Sequence, residues 1–174
     1  DKVNKNIDRF LSTELNWEQL LELKNLTKEK SLLSICTPFD EYSVDKIIEM
    51  NFDIIKVASC SADDWPLLEK IVSSGLPIIV STGGLNLNEI DNLVSFFKHK
   101  GSYFSIMHCI SIYPMENKDA HIGFIKKLCA RYPDIVIGWS THERPSNADI
   151  IKLAYVSGAR IYERHVGKSS ERYK

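Results

Sequence analysis

Two histidines stand where apolar runs end. His142 closes Gly138-Trp139-Ser140-Thr141-His142, and His165 follows Ile161-Tyr162-Glu163-Arg164. An imidazole at the C-terminal end of a parallel strand opens onto the face where α/β proteins build their sites. Two of them on successive strands could clamp one divalent metal through neutral ring nitrogens. Each could equally fill a strand end and bond a backbone carbonyl, because a spacing of 23 residues matches no local zinc signature. The choice rests on their neighbours.

The other strand ends carry Thr37, then Lys56 with Ser59, then Ser81-Thr82-Gly83-Gly84, then His108 with Ser111 and Tyr113, then Ser140. Hydroxyls, one lysine and a glycine pair make an anion cradle, since glycine lets backbone N–H groups approach an oxyanion. The same Ser81–Gly84 segment also reads as a simple strand-to-helix turn. Lys56 interrupts the apolar run Phe52–Ala58, where an unpaired ammonium is costly. It could hold a phosphate or carboxylate, form a Schiff base with a carbonyl substrate, or snorkel to the rim. His108 either orients a neighbour or is a satisfied core histidine, and Tyr113 sits in a loop before Pro114 where it could close over a ligand. Glu143 and Arg144 read as a solvated loop that could touch substrate, Asp63 and Asp64 as helix caps, and His99 and His121 as solvent-facing helix residues.

Apolar runs and amphipathic stretches alternate to position these residues. The predicted strands are Leu32–Cys36, Ile54–Ala58, Pro77–Ser81, Tyr103–His108, Ile135–Trp139 and Arg160–Glu163. They are short continuous apolar runs, as expected of parallel strands covered on both faces. The predicted helices are Trp17–Lys28, with Leu20, Leu21 and Leu23 for burial; one after Asp40; one opening at Pro66 and closing at Gly75; Asn88–His99; Asp119–Tyr132; and one capped by Ser146. Strands recur at the interval of one βα repeat. No GxGxxG follows the first strand, against a dinucleotide fold. Polar residues at nearly every strand end favour an α/β fold of the (β/α)8 TIM-barrel type, with about six βα units in one partial domain spanning residues 1–174.

The whole chain sets outer bounds. Its 174 residues can bury a sizeable core, and 44% hydrophobic with 26% charged residues is ordinary for a globular protein. A formal net charge of −1 gives no reason to expect nucleic acid or an acidic membrane as partner. No apolar run is long enough to cross a bilayer. Four widely spaced cysteines without CxxC pairing suggest a reducing, cytoplasmic setting, with Cys60 and Cys109 packed or lining the site. The first residue is not methionine and the end shows no clear stop, so the chain reads as part of a longer one.

Seven segments together carry a resemblance. Cys36-Thr37-Pro38-Phe39, Ile55-Lys56-Val57-Ala58-Ser59, Pro66-Leu67-Leu68, Ser81-Thr82-Gly83, His108-Cys109-Ile110-Ser111-Ile112-Tyr113-Pro114, Gly138-Trp139-Ser140-Thr141-His142 and Glu163-Arg164-His165 resemble, in order and spacing, the sialic acid (N-acetylneuraminate) synthase family. The resemblance runs from about residue 31 to residue 167. It implies a (β/α)8 barrel that condenses phosphoenolpyruvate with N-acetylmannosamine or a related sugar. It implies Mn²⁺ or Mg²⁺ held by His142 and His165, phosphoenolpyruvate bound by Thr37, Lys56, Ser59, Ser81, Ser111 and Ser140, and Tyr113 near the sugar. Lys56, Tyr113, His142 and His165 would form its catalytic group, with Lys56 as an anion holder.

Some positions differ from the family pattern. Ser61 stands where a glutamate is usual, Thr141 where an aspartate is, Ser111 for asparagine, and Val166-Gly167 for Phe-Thr. These changes fall on the sugar side and resemble a branch of spore-coat polysaccharide synthesis proteins. The family's first two strands, which bring a glutamate and a lysine, have no counterpart, nor does its C-terminal antifreeze-like domain, which lends an arginine across a homodimer. A Lys56 Schiff-base aldolase and an inactive homologue that keeps anion binding are the alternative readings.

Overall fold

The computed structural model describes residues 7, 11–112, 115–143 and 146–165. Helices and strands alternate as α1 (Trp17–Glu29), β1 (Ile35–Cys36), α2 (Glu41–Glu49), β2 (Ile54–Val57), α3 (Trp65–Ser73), β3 (Ile78–Ser81), α4 (Leu87–His99), β4 (Phe104–Cys109), α5 (Gly123–Arg131), β5 (Val136–Ser140), α6 (Asp149–Val156) and β6 (Ile161–Glu163). All six strands pair in parallel and in sequence order, β1 to β6. A doubly wound sheet reverses its strand order at a switch point, whereas this one advances in a single direction, as a (β/α) barrel does. The arrangement is an incomplete (β/α) barrel of six strands.

Side-chain alternation divides each strand between two faces. Ile55, Val57, Val80, Ile106, Ile137 and Trp139 pack with Leu67, Leu68, Ile71, Ile90, Leu93, Phe97, Ile125 and Leu128 of the helices in one buried cluster. Each such side chain contributes about 1.5–3 kcal/mol by leaving water. Local chemistry sets the helix starts. Asp40 and Asp64 cap α2 and α3, and Asn86 with Glu89 forms a reciprocal capping box on α4. Gly75 and Gly101, at φ of 70° and 68°, turn the chain after α3 and α4 through the left-handed region that glycine enters freely. Between α4 and α5, Asp91 accepts from Arg131 Nε at 2.7 Å and Tyr132 OH at 2.6 Å, which hold its carboxyl down at about 2.

Several elements differ from the sequence expectation. β1 shrinks to Ile35–Cys36, because Leu32 and Leu33 are exposed and Ser34 is occupied by Asp53, which accepts from both its N–H and its hydroxyl at 2.7 Å. The helix expected from Asp119 begins at Gly123, since His121 takes a φ of 44° that no right-handed helix admits. A short 3₁₀ turn, Asn117–Asp119, precedes it. Ser146 does not cap α6, whose N-cap is Ala148. Helix α1 buries none of its residues, and of Leu20, Leu21 and Leu23 only Leu20 packs partly on the core. Cys60 is exposed rather than packed. Among the described residues, no helix is long and apolar enough to cross a membrane.

Candidate active site at the strand ends

The β4–β5–β6 ladder sets Cys109, Ser140 and Glu163 in one row at the C-terminal ends of their strands. Ser140 Oγ donates to Glu163 Oε2 at 2.6 Å. The other oxygen of Glu163 lies 3.4 Å from Lys56 Nζ, on β2. In a flat sheet, strands four places apart stand about 19 Å from one another, beyond the reach of two side chains. The ion pair therefore reports that the sheet curls, bringing β2 round to face β6. Curling takes Lys56 out of water, to 17% side-chain exposure, and supplies the carboxylate that offsets the cost.

Gly138 assists this packing on β5. A Cβ there would sit 2.0 Å from Met107 Sδ, so the thioether occupies the room a side chain would need.

On the opposite rim the partners are neutral. Gly83 N–H donates to Ser59 Oγ at 3.0 Å. A Cβ on Gly83 would come within 2.8 Å of Ser59 Oγ, 2.9 Å of Ser111 Oγ and 3.1 Å of Cys109 Sγ. Glycine at this position thus lets two hydroxyls and a backbone amide converge. Ser81, one per cent exposed, keeps its hydroxyl without a hydrogen-bond partner among the described residues. A buried polar atom left in that state costs about 1–3 kcal/mol and points to something that binds there.

The two histidines of the sequence pattern are neighbours. The His142 and His165 rings lie 5.1 Å apart between centroids, inclined by 42°. His142 Nδ1 is 3.1 Å from the Ile110 carbonyl, and the His142 carbonyl accepts from Met115 N–H at 3.1 Å. Donation from Nδ1–H selects the tautomer whose Nε2 carries the lone pair, the usual way a metal-binding histidine is oriented. Burial pushes the His142 imidazole below its ordinary pKa, and His165 beside it acts in the same direction. The Ile110 carbonyl, Glu163 and Glu143 oppose that shift less strongly. A neutral ring is the form that ligates.

The pair suits a divalent cation. With metal–nitrogen bonds of about 2.1 Å, two imidazoles side by side on one ion have centroids roughly 4.5–5.5 Å apart. Among the described residues no group of three or more histidines, cysteines or carboxylates forms a preformed ligand set. Two nitrogen ligands leave the remaining positions to oxygen atoms, which suits Mn²⁺ or Mg²⁺ better than a closed structural zinc site.

The other predicted residues separate cleanly. Thr37 is half-buried at the end of β1, outside this set of bonds. Tyr113 and Arg144 lie outside the described residues. His108 faces the helices, packed against Phe124 and Trp139 with Nε2 3.0 Å from the Ala120 carbonyl, and is a core histidine. Glu143 is buried rather than solvated. Cys109 is half-buried beside Gly83. Behind the rim, a cavity of about 480 Å³ lined by Thr82, Gly84, His108, His121 and Lys127 separates the β3 and β4 ends from α5. Its lining also includes Cys109 and Ile110, whose carbonyl meets His142.

Glu163, a residue to which the sequence pattern gives no role, meets both Lys56 and Ser140. A lone carboxylate closing the short apolar run of β6 was the available signal.

Half of a (β/α) barrel, with a paired-imidazole rim facing a hydroxyl-and-glycine rim, defines the class. Residues 1–172 match the NeuB family, and the chain belongs to that family. It is 33% identical over 153 residues to the N-acetylneuraminate-9-phosphate synthase of Drosophila melanogaster, covering 87% of this chain and 41% of that protein. A Chromobacterium violaceum protein whose name assigns it to spore coat polysaccharide biosynthesis superposes with a TM-score of 0.94 at 43% identity, over 99% of this chain and 51% of that one. The N-acetylneuraminic acid synthetase of Leptospira borgpetersenii, solved with citrate, superposes at 0.86 and 36% identity over 94% and 57%. A DAHP synthase from Thermotoga maritima shares the fold, at 0.68 and 18% identity over 82% and 44%. The chain thus spans about half the length of these relatives.

Proposed function

We propose that this chain carries the central part of a sugar-acid synthase site, which condenses phosphoenolpyruvate with an aldose of the N-acetylmannosamine type. With one water consumed, which adds at C2 as phosphate leaves by C–O cleavage, the products are a 2-keto-3-deoxy sugar acid and phosphate. The carrying observation is the opposition of two rims, imidazoles with a carboxylate on one side and, on the other, serine hydroxyls gathered around Gly83, with that of Ser81 lacking a partner among the described residues.

His142 and His165 would hold Mn²⁺ or Mg²⁺, which when bound supplies Lewis-acid polarisation of the sugar aldehyde. The chain's own residues do the rest. Ser81, Ser59, Ser111 and the Gly83 segment offer hydrogen bonds to the phosphate and carboxylate oxygens of phosphoenolpyruvate. Lys56, tied to Glu163, places a point charge beside them and favours the anion-holding role over a Schiff base. Glu163 also fixes the Ser140 hydroxyl. Thr37 and Tyr113 belong to the same reading, as a phosphoenolpyruvate and a sugar contact. A cytoplasmic homodimer, closed by strands and a domain outside this segment, is the assembly it implies.

The test is phosphate release from phosphoenolpyruvate with aldose acceptors and Mn²⁺, using the polypeptide that contains this segment. Acceptor-dependent release supports the reading. Neither release with any acceptor nor binding of phosphoenolpyruvate overturns it. An adduct trapped by borohydride with pyruvate, and lost in Lys56→Met, would replace it with the aldolase.

A further inference from the structure

The two histidine-bearing strand ends are joined a second time, through the residues next to the imidazoles. Glu143 follows His142 directly, and its side chain has no solvent exposure. Its Oε1 lies 3.2 Å from Nε of Arg164, the residue directly before His165. The contact lacks hydrogen-bond alignment, so the attraction is coulombic. The other carboxylate oxygen accepts the hydroxyl of Thr141, itself 3% exposed. A carboxylate withdrawn from water is tolerated only where its charge is met, so this one is locked in one place.

The backbone shows why such a lock is needed. The β5–β6 ladder pairs Gly138 with Ile161, Trp139 with Tyr162 and Ser140 with Glu163, and there it ends. Both imidazoles lie beyond its last rung. His142 is still held by the Ile110 carbonyl and the Met115 amide, whereas the His165 ring is exposed. The Glu143–Arg164 pair is a charged cross-strand link that continues past the final rung, at the level of the rings. The carboxylate that the family resemblance places at position 141 is carried here two residues later, at Glu143.

We propose that Glu143 and Arg164 are positioning residues, whose ion pair, steadied by Thr141, fixes the spacing of the His142 and His165 rings and thereby sets how tightly the site takes a divalent cation. This inference rests on the metal-site reading above. Neither residue is a ligand, and each acts through the imidazole beside it.

Mn²⁺ titration followed by electron paramagnetic resonance, without substrate, gives a readout independent of turnover. Glu143→Gln and Arg164→Gln are each expected to weaken Mn²⁺ binding about 10–100-fold, the usual effect of removing an outer partner. The double variant is expected to lose no more than the worse single one, because both remove the same link. Arg164→Lys keeps the charge and is expected to recover part of the loss. Mn²⁺ affinity within twofold of the parent in Glu143→Gln, or additive losses in the double variant, overturns the proposal. If Glu143→Gln does not fold, Thr141→Val and Arg164→Lys decide by the same measurement. His142→Ala separates the two readings: undiminished Mn²⁺ binding there removes the metal site itself, whereas loss there with unchanged Glu143→Gln removes only the positioning role.

Discussion

The two rims of this half-barrel are built from opposite materials. The β5–β6 rim is cross-linked by charge, with Glu163 spanning Ser140 and Lys56 and with Glu143 facing Arg164. The facing rim of Ser59, Gly83 and Ser111 is neutral, serines around a glycine, with the buried Ser81 hydroxyl lacking a partner among the described residues. Charge that is already satisfied holds groups still, while donors that are unsatisfied wait for a ligand. One rim is therefore preorganised, and the other is incomplete until an anion arrives.

The severest break of this contrast removes an imidazole. His142→Ala and His165→Ala are each expected to lower Mn²⁺ affinity by more than the roughly 10–100-fold that an outer partner costs. Isothermal titration would show it, and parent-like affinity in both would detach the rim from metal binding. Next comes Glu163→Gln, which unties Lys56 and Ser140 at once. Because misplacing reacting groups by about 1 Å can cost 10²-fold, phosphate release is expected to fall about 10–100-fold. Its melting temperature should fall as well, since Lys56, at 17% side-chain exposure, loses the carboxylate that offsets its burial.

Ser81→Ala tests the neutral rim and separates binding from stability. Losing a hydrogen bond to a charged ligand, worth about 1.5–3 kcal/mol, is expected to weaken phosphoenolpyruvate binding at least tenfold. The same change relieves an unsatisfied hydroxyl, so thermal stability should hold or rise. A lower melting temperature with unchanged ligand affinity would mean that Ser81 is a packing residue.

The smallest effect concerns His108, a buried histidine in neither rim. Burial holds its pKa below the ordinary 6.5, so the unfolded chain binds the proton more readily. Its contribution to stability is complete above that ordinary value and is lost as pH falls below it. Melting curves between roughly pH 8 and pH 5 should show this loss, reduced in His108→Gln. Equal slopes in both proteins would assign the acid sensitivity elsewhere.

Much of this contrast was legible beforehand because strand ends announce themselves. An apolar run that stops at Ser-Thr-Gly or at a histidine carries its own boundary, and the polar strand ends, rather than the βα interval that a doubly wound sheet shares, pointed to the barrel. The two errors over carboxylates share one physical cause. Glu143 read as solvated and Glu163 drew no role, because whether a carboxylate is buried depends on where a curled sheet brings Arg164 and Lys56. Local spacing does not contain that curvature. The start of α5 was missed because His121 adopts a left-handed φ that no helical periodicity signals.

The ladder also tapers from its centre, with six residues in β4 and five in β5 against three in β6 and two in β1. Deuterium exchange should record that taper as a clock. The amides of Ile106 and Ile137 should exchange only through the largest openings, and those of Cys36 and Tyr162 through small local fraying. His165 follows the three-residue β6 and His142 the five-residue β5. The two halves of the imidazole pair thus belong to regions that open at different rates, so a bound cation should slow exchange most at β6.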